Sequence, residues 1–350
     1  MTTALAIVAA VLAVSLLIIV HEAGHFLAAR RFGMRVERFS VGFGPVLAAF
    51  RRGETEFAIS ALPLGGYVRI SGMAPGDDVA PGDPRAYANQ AAWRRFLVIL
   101  AGPGMNYVSA VAIAAVLLAT VGLRAADPAA RVGALVPGMP AAEAGLRPGD
   151  RIVSVAGTPV DTFTDLVAEL RRHPGERIAL EVERGQPEAT RLTVAITPRD
   201  EGGVGRVGFQ QAQVVVRRDP LGAIAEGVAR TNAGAAAQLA AFGSVFTGRQ
   251  KAELSGPVGI AQELVRGAHE GPEPFLALVW TISIVLAILN LLPWPALDGG
   301  RLVFLLWEMV TRRRVNERVE SIVHFAGMVA LVVLILAVTV FKDFARLLGR

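Results

Sequence analysis

Four stretches of the chain are almost free of charged residues: 4–20, 96–123, 275–292 and 322–341. Each approaches the roughly 20 apolar residues that a helix needs to cross about 30 Å of hydrocarbon. They predict four transmembrane helices, within 1–30, 96–125, 274–300 and 322–350. Between the second and third, residues 126–274 turn polar and are long enough for a separate domain. Strand-like alternation at 132–136, 152–155, 178–182 and 192–196 is interrupted by helical patterns at 140–146 and 163–171. A compact α+β module over 126–211 follows. In the connecting region 212–273, Leu221, Ile224, Val228, Leu239, Phe242 and Val245 recur at rough helical spacing among alanines. That pattern suits a helix lying on a membrane surface or packed on the module.

A different pattern fills 31–95. Residues 39–44 read FSVGFG, a glycine-punctuated turn region before Pro45. Phe57, Ile59 and Ala61 then alternate on one face, and Tyr67-Val68-Arg69-Ile70 follows Pro63 and Gly65-Gly66. A β-hairpin or short sheet with a free edge is expected on the side of the membrane where this segment lies. Residues 74–90, rich in Pro, Gly and Asp, predict a mobile loop, and 301–321 a second loop.

Composition agrees with a membrane protein: of 350 residues, 53% are hydrophobic and 19% charged, against about a quarter charged in soluble domains. A cleaved signal peptide is not expected, because residues 1–20 lack the positive flank of one. The net charge of +5 raises nucleic acid as a partner, but its distribution removes that class. Ten arginines (Arg30, Arg31, Arg35, Arg38, Arg51, Arg52, Arg69, Arg85, Arg94, Arg95) lie between the first two apolar stretches. Arg301, Arg312, Arg313, Arg314 and Arg318 lie between the last two. Short basic loops stay in the cytoplasm, so both termini and the central module are expected outside it. The chain has no cysteine; disulfides are excluded, and a metal would need nitrogen and oxygen ligands.

The chemistry concentrates at His21-Glu22-Ala23-Gly24-His25, an H-E-x-x-H sequence. Four residues apart on a helix, two imidazoles share one face and can point at one ion. A catalytic zinc takes three protein ligands and a water, and Glu22 stands beside the pair to accept the water's proton. A helix over 4–20 rises about 25 Å, which puts His21 inside the bilayer, where ionisable groups are costly and functional by default. The third ligand should be an acid at similar depth. Asp298 is the sole acidic residue between Glu273 and Glu308, in Asn290-Leu291-Leu292-Pro293-Trp294-Pro295-Ala296-Leu297-Asp298-Gly299-Gly300. Its prolines and glycines break the helix, which membranes tolerate where backbone is buried in protein or lines a polar cavity. The bland alternatives are a structural histidine pair and a loop aspartate. His324 is expected to be a packing or hydrogen-bonding histidine.

HEAGH together with NLLPWPALDGG resembles the signature of the site-2 protease family, of the RseP type. The resemblance extends to Gly42-Phe43-Gly44, Pro63-Leu64-Gly65-Gly66-Tyr67-Val68, Ala101-Gly102-Pro103-Gly104-Met105-Asn106 and Ser255-Gly256-Pro257-Val258-Gly259-Ile260, and covers essentially the whole chain. It implies an intramembrane zinc metalloprotease in the bacterial inner membrane, with one zinc per chain, held near the cytoplasmic side. Implied substrates are transmembrane proteins: anti-sigma factors already trimmed by an upstream site-1-type protease, and signal-peptide remnants. Asn290 would hold the substrate carbonyl, and 131–209 look like one PDZ domain.

An unwound substrate is expected to add as a strand to an edge within 56–70, with Gly42, Phe43, Gly44, Leu64, Gly65, Gly66, Tyr67 and Val68 lining the groove. Gly205, Arg206, Val207, Gly208 and Phe209 would offer backbone N–H groups to a C-terminal carboxylate, or else form an ordinary closing strand. Two other function classes remain. An inactive scaffold working through its PDZ-like module leaves Glu22 unexplained, and a metal transporter would need a relay of polar residues through several spans.

Overall fold

A computed structural model describes residues 2–74, 77, 79–80, 82–185, 189–248 and 256–343. Ser255 and the side chains of Leu64 and Val245, all singled out above, lie outside the described residues. The chain divides into two units, Met1–Val121 with Arg218–Arg350, and Gly122–Arg217.

In the first unit, α1 (Thr3–Arg31) runs eleven residues past the apolar stretch that ends at Val20, so HEAGH lies inside a continuous helix. Thr2 caps its start by accepting from the Leu5 N–H. At its end, Met34 N–H returns to the Ala29 carbonyl around Gly33, which has φ +73°. This is the glycine-closed helix terminus expected where the chain must turn left-handed. β1 (Val36–Arg52) and β2 (Thr55–Ile70) follow and pair antiparallel. Their register shows that each bends back: Phe39 is matched with both Val68 and Phe57, and Val41 with both Gly66 and Ile59. Residues 38–41 are therefore interior, and 66–70 form an edge. Gly42 makes the bend possible, because at φ +85° a Cβ there would stand 2.5 Å from the Leu62 carbonyl oxygen. Ser15 of α1 donates to the Pro63 carbonyl and fastens β2 to the helix.

The expected mobile loop 74–90 is held at its described C-terminal part. Arg35 N–H donates to the Arg85 carbonyl, Tyr87 N–H donates to the Ser71 carbonyl, and Arg35 pairs with Asp83. Proline and glycine content marked turns here, but long-range bonds to 35 and 71 fix them.

α2 (Ala92–Ala119) packs against α1 and against three later helices: α3 (Pro220–Phe246), α5 (Pro272–Leu291) and α6 (Asp298–Thr311). α4 (Pro257–Glu270) packs on α1 and α5, with Leu264 buried against Ala10, Leu17 and Val279. α7 (Glu317–Val338) completes the unit. Four helical segments among the described residues are long and apolar enough to cross a membrane: Thr3–Arg31, Ala92–Ala119, Pro272–Leu291 and Arg318–Phe341.

Two expectations are corrected. The third span does not carry LDGG: α5 ends at Leu291, and Asp298 opens a separate helix across much of the expected loop 301–321. Pro293 and Pro295 stop the first helix, and Gly299 allows the return, since a Cβ there would lie 2.0 Å from the Leu292 carbonyl oxygen. α3, expected on the surface or on the module, lies along α2. Tyr107 donates to Asn232 at 2.8 Å, and Trp280 of α5 donates to Thr231 at 3.1 Å. Gly227 lets its backbone approach that of α2 at Val111 and Ala115, and Gly234 makes room for the Trp280 and Ile284 side chains of α5, as small residues do between membrane helices.

The second unit is α+β. A four-stranded sheet runs Thr158–Pro159, Arg151–Val155, Ile178–Arg184, Thr190–Ile196 in spatial order. The helix Phe163–Leu170 is started by a capping box in which Thr162 and Asp165 satisfy each other's backbone N–H. Its inward face joins Val132, Ile152, Leu180 and Val182 in one core. The unit is wider than the expected 126–211, because Gln213–Val216 pairs back on Leu123–Ala126.

Candidate metal centre

His21 and His25 stand one turn apart on α1, 8% and 5% exposed, so both imidazoles are withdrawn from solvent. Their Nε2 atoms are 3.2 Å apart. The first residue of α6 completes the group: Asp298 Oδ2 lies 3.0 Å from His21 Nε2 and 3.4 Å from His25 Nε2. Among the described residues this is the one group of three or more His, Cys, Asp or Glu side chains converging at such distances.

The surroundings determine what these atoms offer. His25 Nδ1 is 2.8 Å from the Val98 carbonyl, which can only accept, so Nδ1 carries the proton and Nε2 is a bare lone pair. His21 Nδ1 faces the buried carboxamide of Asn106 at 3.2 Å, and Asn106 Oδ1 has no hydrogen-bond partner among the described residues. Turning that carboxamide over exchanges its nitrogen and oxygen and gives His21 the same Nδ1–H donation. Asp298 Oδ2 is buried and accepts no hydrogen bond from the described residues. Three lone-pair donors aimed at one point would repel one another, and a divalent cation among them removes the conflict. Ligands 2.0–2.2 Å from a tetrahedral zinc stand roughly 3.3–3.5 Å from each other, close to the spacing seen. The residues fit the metal.

α2 makes the room. A Cβ at Gly102 would lie 2.4 Å from His25 Nε2 and 2.9 Å from His21 Cε1, and one at Gly24 would lie 2.2 Å from the Ala101 carbonyl oxygen. Gly102, Asn106 and the Val98 carbonyl were not assigned to the site from the sequence. The signal was present in Gly102 and Asn106 themselves, spaced by four like His21 and His25, which puts both on the helix face turned to the imidazoles.

Glu22 is half-buried next to the pair and lies near the backbone of Val68 on the edge segment of β2. Of the groove residues, Phe43 stacks on Tyr67 with centroids 6.0 Å apart. Gly65 (φ +105°) packs beside Ile18 of α1, and Gly66 faces the Ser40 carbonyl. Gly44 also has positive φ, at +86°. Asn290 is half-buried in the last turn of α5, and no described residue hydrogen-bonds its side chain. In the second unit, Gly205-Arg206 pairs with Arg199-Asp200, and the Gly205 N–H is occupied by the Arg171 carbonyl. Val207 and Gly208 lend their carbonyls to the Ala141 and Val136 N–H groups, and Phe209 pairs with Leu135.

A buried HExxH pair, an aspartate from a second helix and a bundle of apolar helices define a membrane-embedded metallopeptidase. Residues 9–334 match the model of peptidase family M50. A Clostridium perfringens protein assigned by name to the zinc metalloproteases is 34% identical over 341 residues, covering 96% of this chain and 98% of that one. A similarly named Nostoc protein is 34% identical, with 93% of each chain covered. Zinc metalloprotease RasP of Geobacillus kaustophilus is 29% identical over 403 residues, covering 92% of this chain and 94% of its own. The chain belongs to peptidase family M50, the site-2 protease family. It is an integral membrane zinc metalloprotease.

Proposed function

We propose that this chain cleaves transmembrane segments of single-pass membrane proteins, with His21, His25 and Asp298 as zinc ligands and Glu22 as the general base. The observation that carries the reading is the convergence of three lone-pair donors, 3.0–3.4 Å apart, from two separate helices. Zinc bound there supplies electrophilic polarisation and a water whose pKa falls to about 7. Glu22 takes a proton from the attacking water as its oxygen bonds to the scissile carbonyl carbon. The same carboxyl then protonates the departing amine nitrogen as the C–N bond breaks. Asn290 donates to the carbonyl oxygen of the substrate.

A helix shields its peptide bonds, so the substrate must be unwound. The edge at 66–70 offers main-chain partners for strand addition, and the nearness of Val68 to Glu22 supports an edge that runs beside the base. Gly42, Phe43, Gly44, Gly65, Gly66 and Tyr67 line the groove. The second unit acts as a PDZ domain that recruits an exposed C-terminus at 206–209, the Gly205 N–H being already taken by the Arg171 carbonyl. Gly208 has φ +80°, and Phe209 meets Phe163 of the neighbouring helix edge-on at 6.0 Å. The arginines between spans orient the protein in the bacterial inner membrane, with both termini and the PDZ unit outside and the metal toward the cytoplasm. Anti-sigma-factor-like proteins first cut by a site-1-type protease, and signal-peptide remnants, are the substrates this arrangement suits.

Purified wild type and Glu22→Gln, incubated with a single-span test protein in vesicles, separate the readings. Cleavage by wild type alone, with equal zinc in both, supports the protease. Zinc without cleavage in either supports a scaffold.

A further inference from the structure

Asp298 is placed by whatever holds the six residues before it. Those residues fold into successive tight turns: Trp294 N–H donates to the Leu292 carbonyl (2.7 Å), and Leu297 N–H to the Trp294 carbonyl (2.9 Å). Gly300 is packed under them, since a Cβ there would stand 2.5 Å from the Trp294 carbonyl oxygen. The position of Trp294 and Pro295 therefore passes directly to the first turn of α6, where Asp298 sits.

α7 holds that position. His324 Nδ1 donates to the Pro295 carbonyl. One turn on, the Gly327 carbonyl accepts from Trp294 Nε1 at 3.1 Å. A Cβ on Gly327 would stand 2.6 Å from Pro295 Cβ and 3.1 Å from the Ala296 nitrogen. The His324 ring also meets Phe304 of α6 edge-on, with centroids 5.6 Å apart. All of these contacts come from a single turn of a helix that otherwise exposes its apolar side chains, among them Ile322, Phe325, Met328 and Val329. A polar side chain in such a span is costly in lipid and is retained for a purpose. His324 has no place in the metal-binding group, to which His21, His25 and Asp298 belong.

We propose that His324, Gly327 and Trp294 form a latch through which the last span positions Asp298 on the zinc. His324 is a positioning residue and acts through the Pro295 carbonyl. The inference rests on Asp298 being a zinc ligand. Loss of an outer-shell partner lowers metal affinity by roughly 10–100-fold, and an indirect latch belongs at the low end, about tenfold.

The test is zinc affinity of the full chain in detergent micelles, measured by competition with a chromogenic chelator. The d–d spectrum of the cobalt-substituted protein is a second readout. His324→Leu removes the donor, and Gly327→Ala pushes on Pro295 without touching the histidine. His324→Asn restores an N–H near the position of Nδ1, and Met328→Leu is a control on the exposed face. His324→Leu and Gly327→Ala are expected to bind zinc about tenfold more weakly with an altered cobalt spectrum, while His324→Asn and Met328→Leu stay near wild type. Wild-type affinity in both His324→Leu and Gly327→Ala, with Asp298→Ala losing zinc, overturns the latch and spares the ligand assignment. Equal losses in His324→Asn and His324→Leu overturn the hydrogen bond as its means. Unchanged zinc in Asp298→Ala overturns the ligand assignment, and the latch with it.

Discussion

Arg95 and Glu308 form an ion pair at 2.5 Å that joins the start of α2 to the helix that Asp298 begins. Both side chains are largely buried; Arg95 also donates to the Gln90 carbonyl, and Arg314 reaches the same Glu308 carboxylate. Removing one member of a buried pair leaves the other charge uncompensated, at a cost of about 3 kcal/mol or more. Glu308→Ala should therefore lower thermal stability in detergent by an amount of this order. Arg95→Met with Glu308→Met should cost clearly less than Glu308→Ala alone. Equal losses would mean that the pair contributes through packing only.

Gly102 stands against both imidazoles, with no space for a methyl group. Gly102→Ala should empty the metal centre while leaving helical content near wild type, because alanine suits a helix better than glycine. Zinc content by atomic absorption and far-ultraviolet circular dichroism check this together. A variant that keeps full zinc would show that the imidazoles can move aside.

Val68 sits on the edge segment of β2, near Glu22. Val68→Pro removes the N–H that an added strand would use. Cleavage of a single-span protein should fall at least tenfold with zinc content unchanged. Normal turnover would argue against strand addition at this edge.

His173, in the second unit, is held above its ordinary value of 6.5, chiefly by its hydrogen bond to Glu176, with Glu169 adding to it. The imidazole is half-buried, but its main partner Glu176 is exposed to solvent, which screens the pair and keeps the contribution small. A raised folded-state value means that this contribution is complete below about 6.5 and is lost as pH rises through the folded value. Thermal unfolding of the protein between pH 6 and 8 should show the unit weakening slightly, and His173→Gln should flatten that slope. A slope of the opposite sign would contradict the assignment.

Much of the centre was legible because helical periodicity is local. The spacing of His21 and His25 puts two imidazoles on one face, and Asp298 stood out as a lone acid in an apolar region. The residues that make room for them were harder to read. Gly102 and Asn106 lie in a span whose small residues have many packing uses. The helix opened by Asp298 was obscured because Gly299-Gly300 reads as a breaker, whereas here glycine allows the chain to return against Leu292. Non-local pairing was the least accessible. The bend that brings 39–41 between 56–59 and 66–70, and the return of 213–216 to 123–126, depend on partners far away in the sequence. Hydropathy likewise cannot show that α3 lies along α2, because small residues and paired polar groups make that contact.

X-ray absorption at the zinc edge of the purified full-length protein tests the central claim most directly. One zinc per chain is expected, with two imidazole nitrogens and a carboxylate oxygen from the protein, and with metal lost in His21→Ala, His25→Ala and Asp298→Ala. A full complement of zinc in all three variants, with an unchanged spectrum, would contradict it.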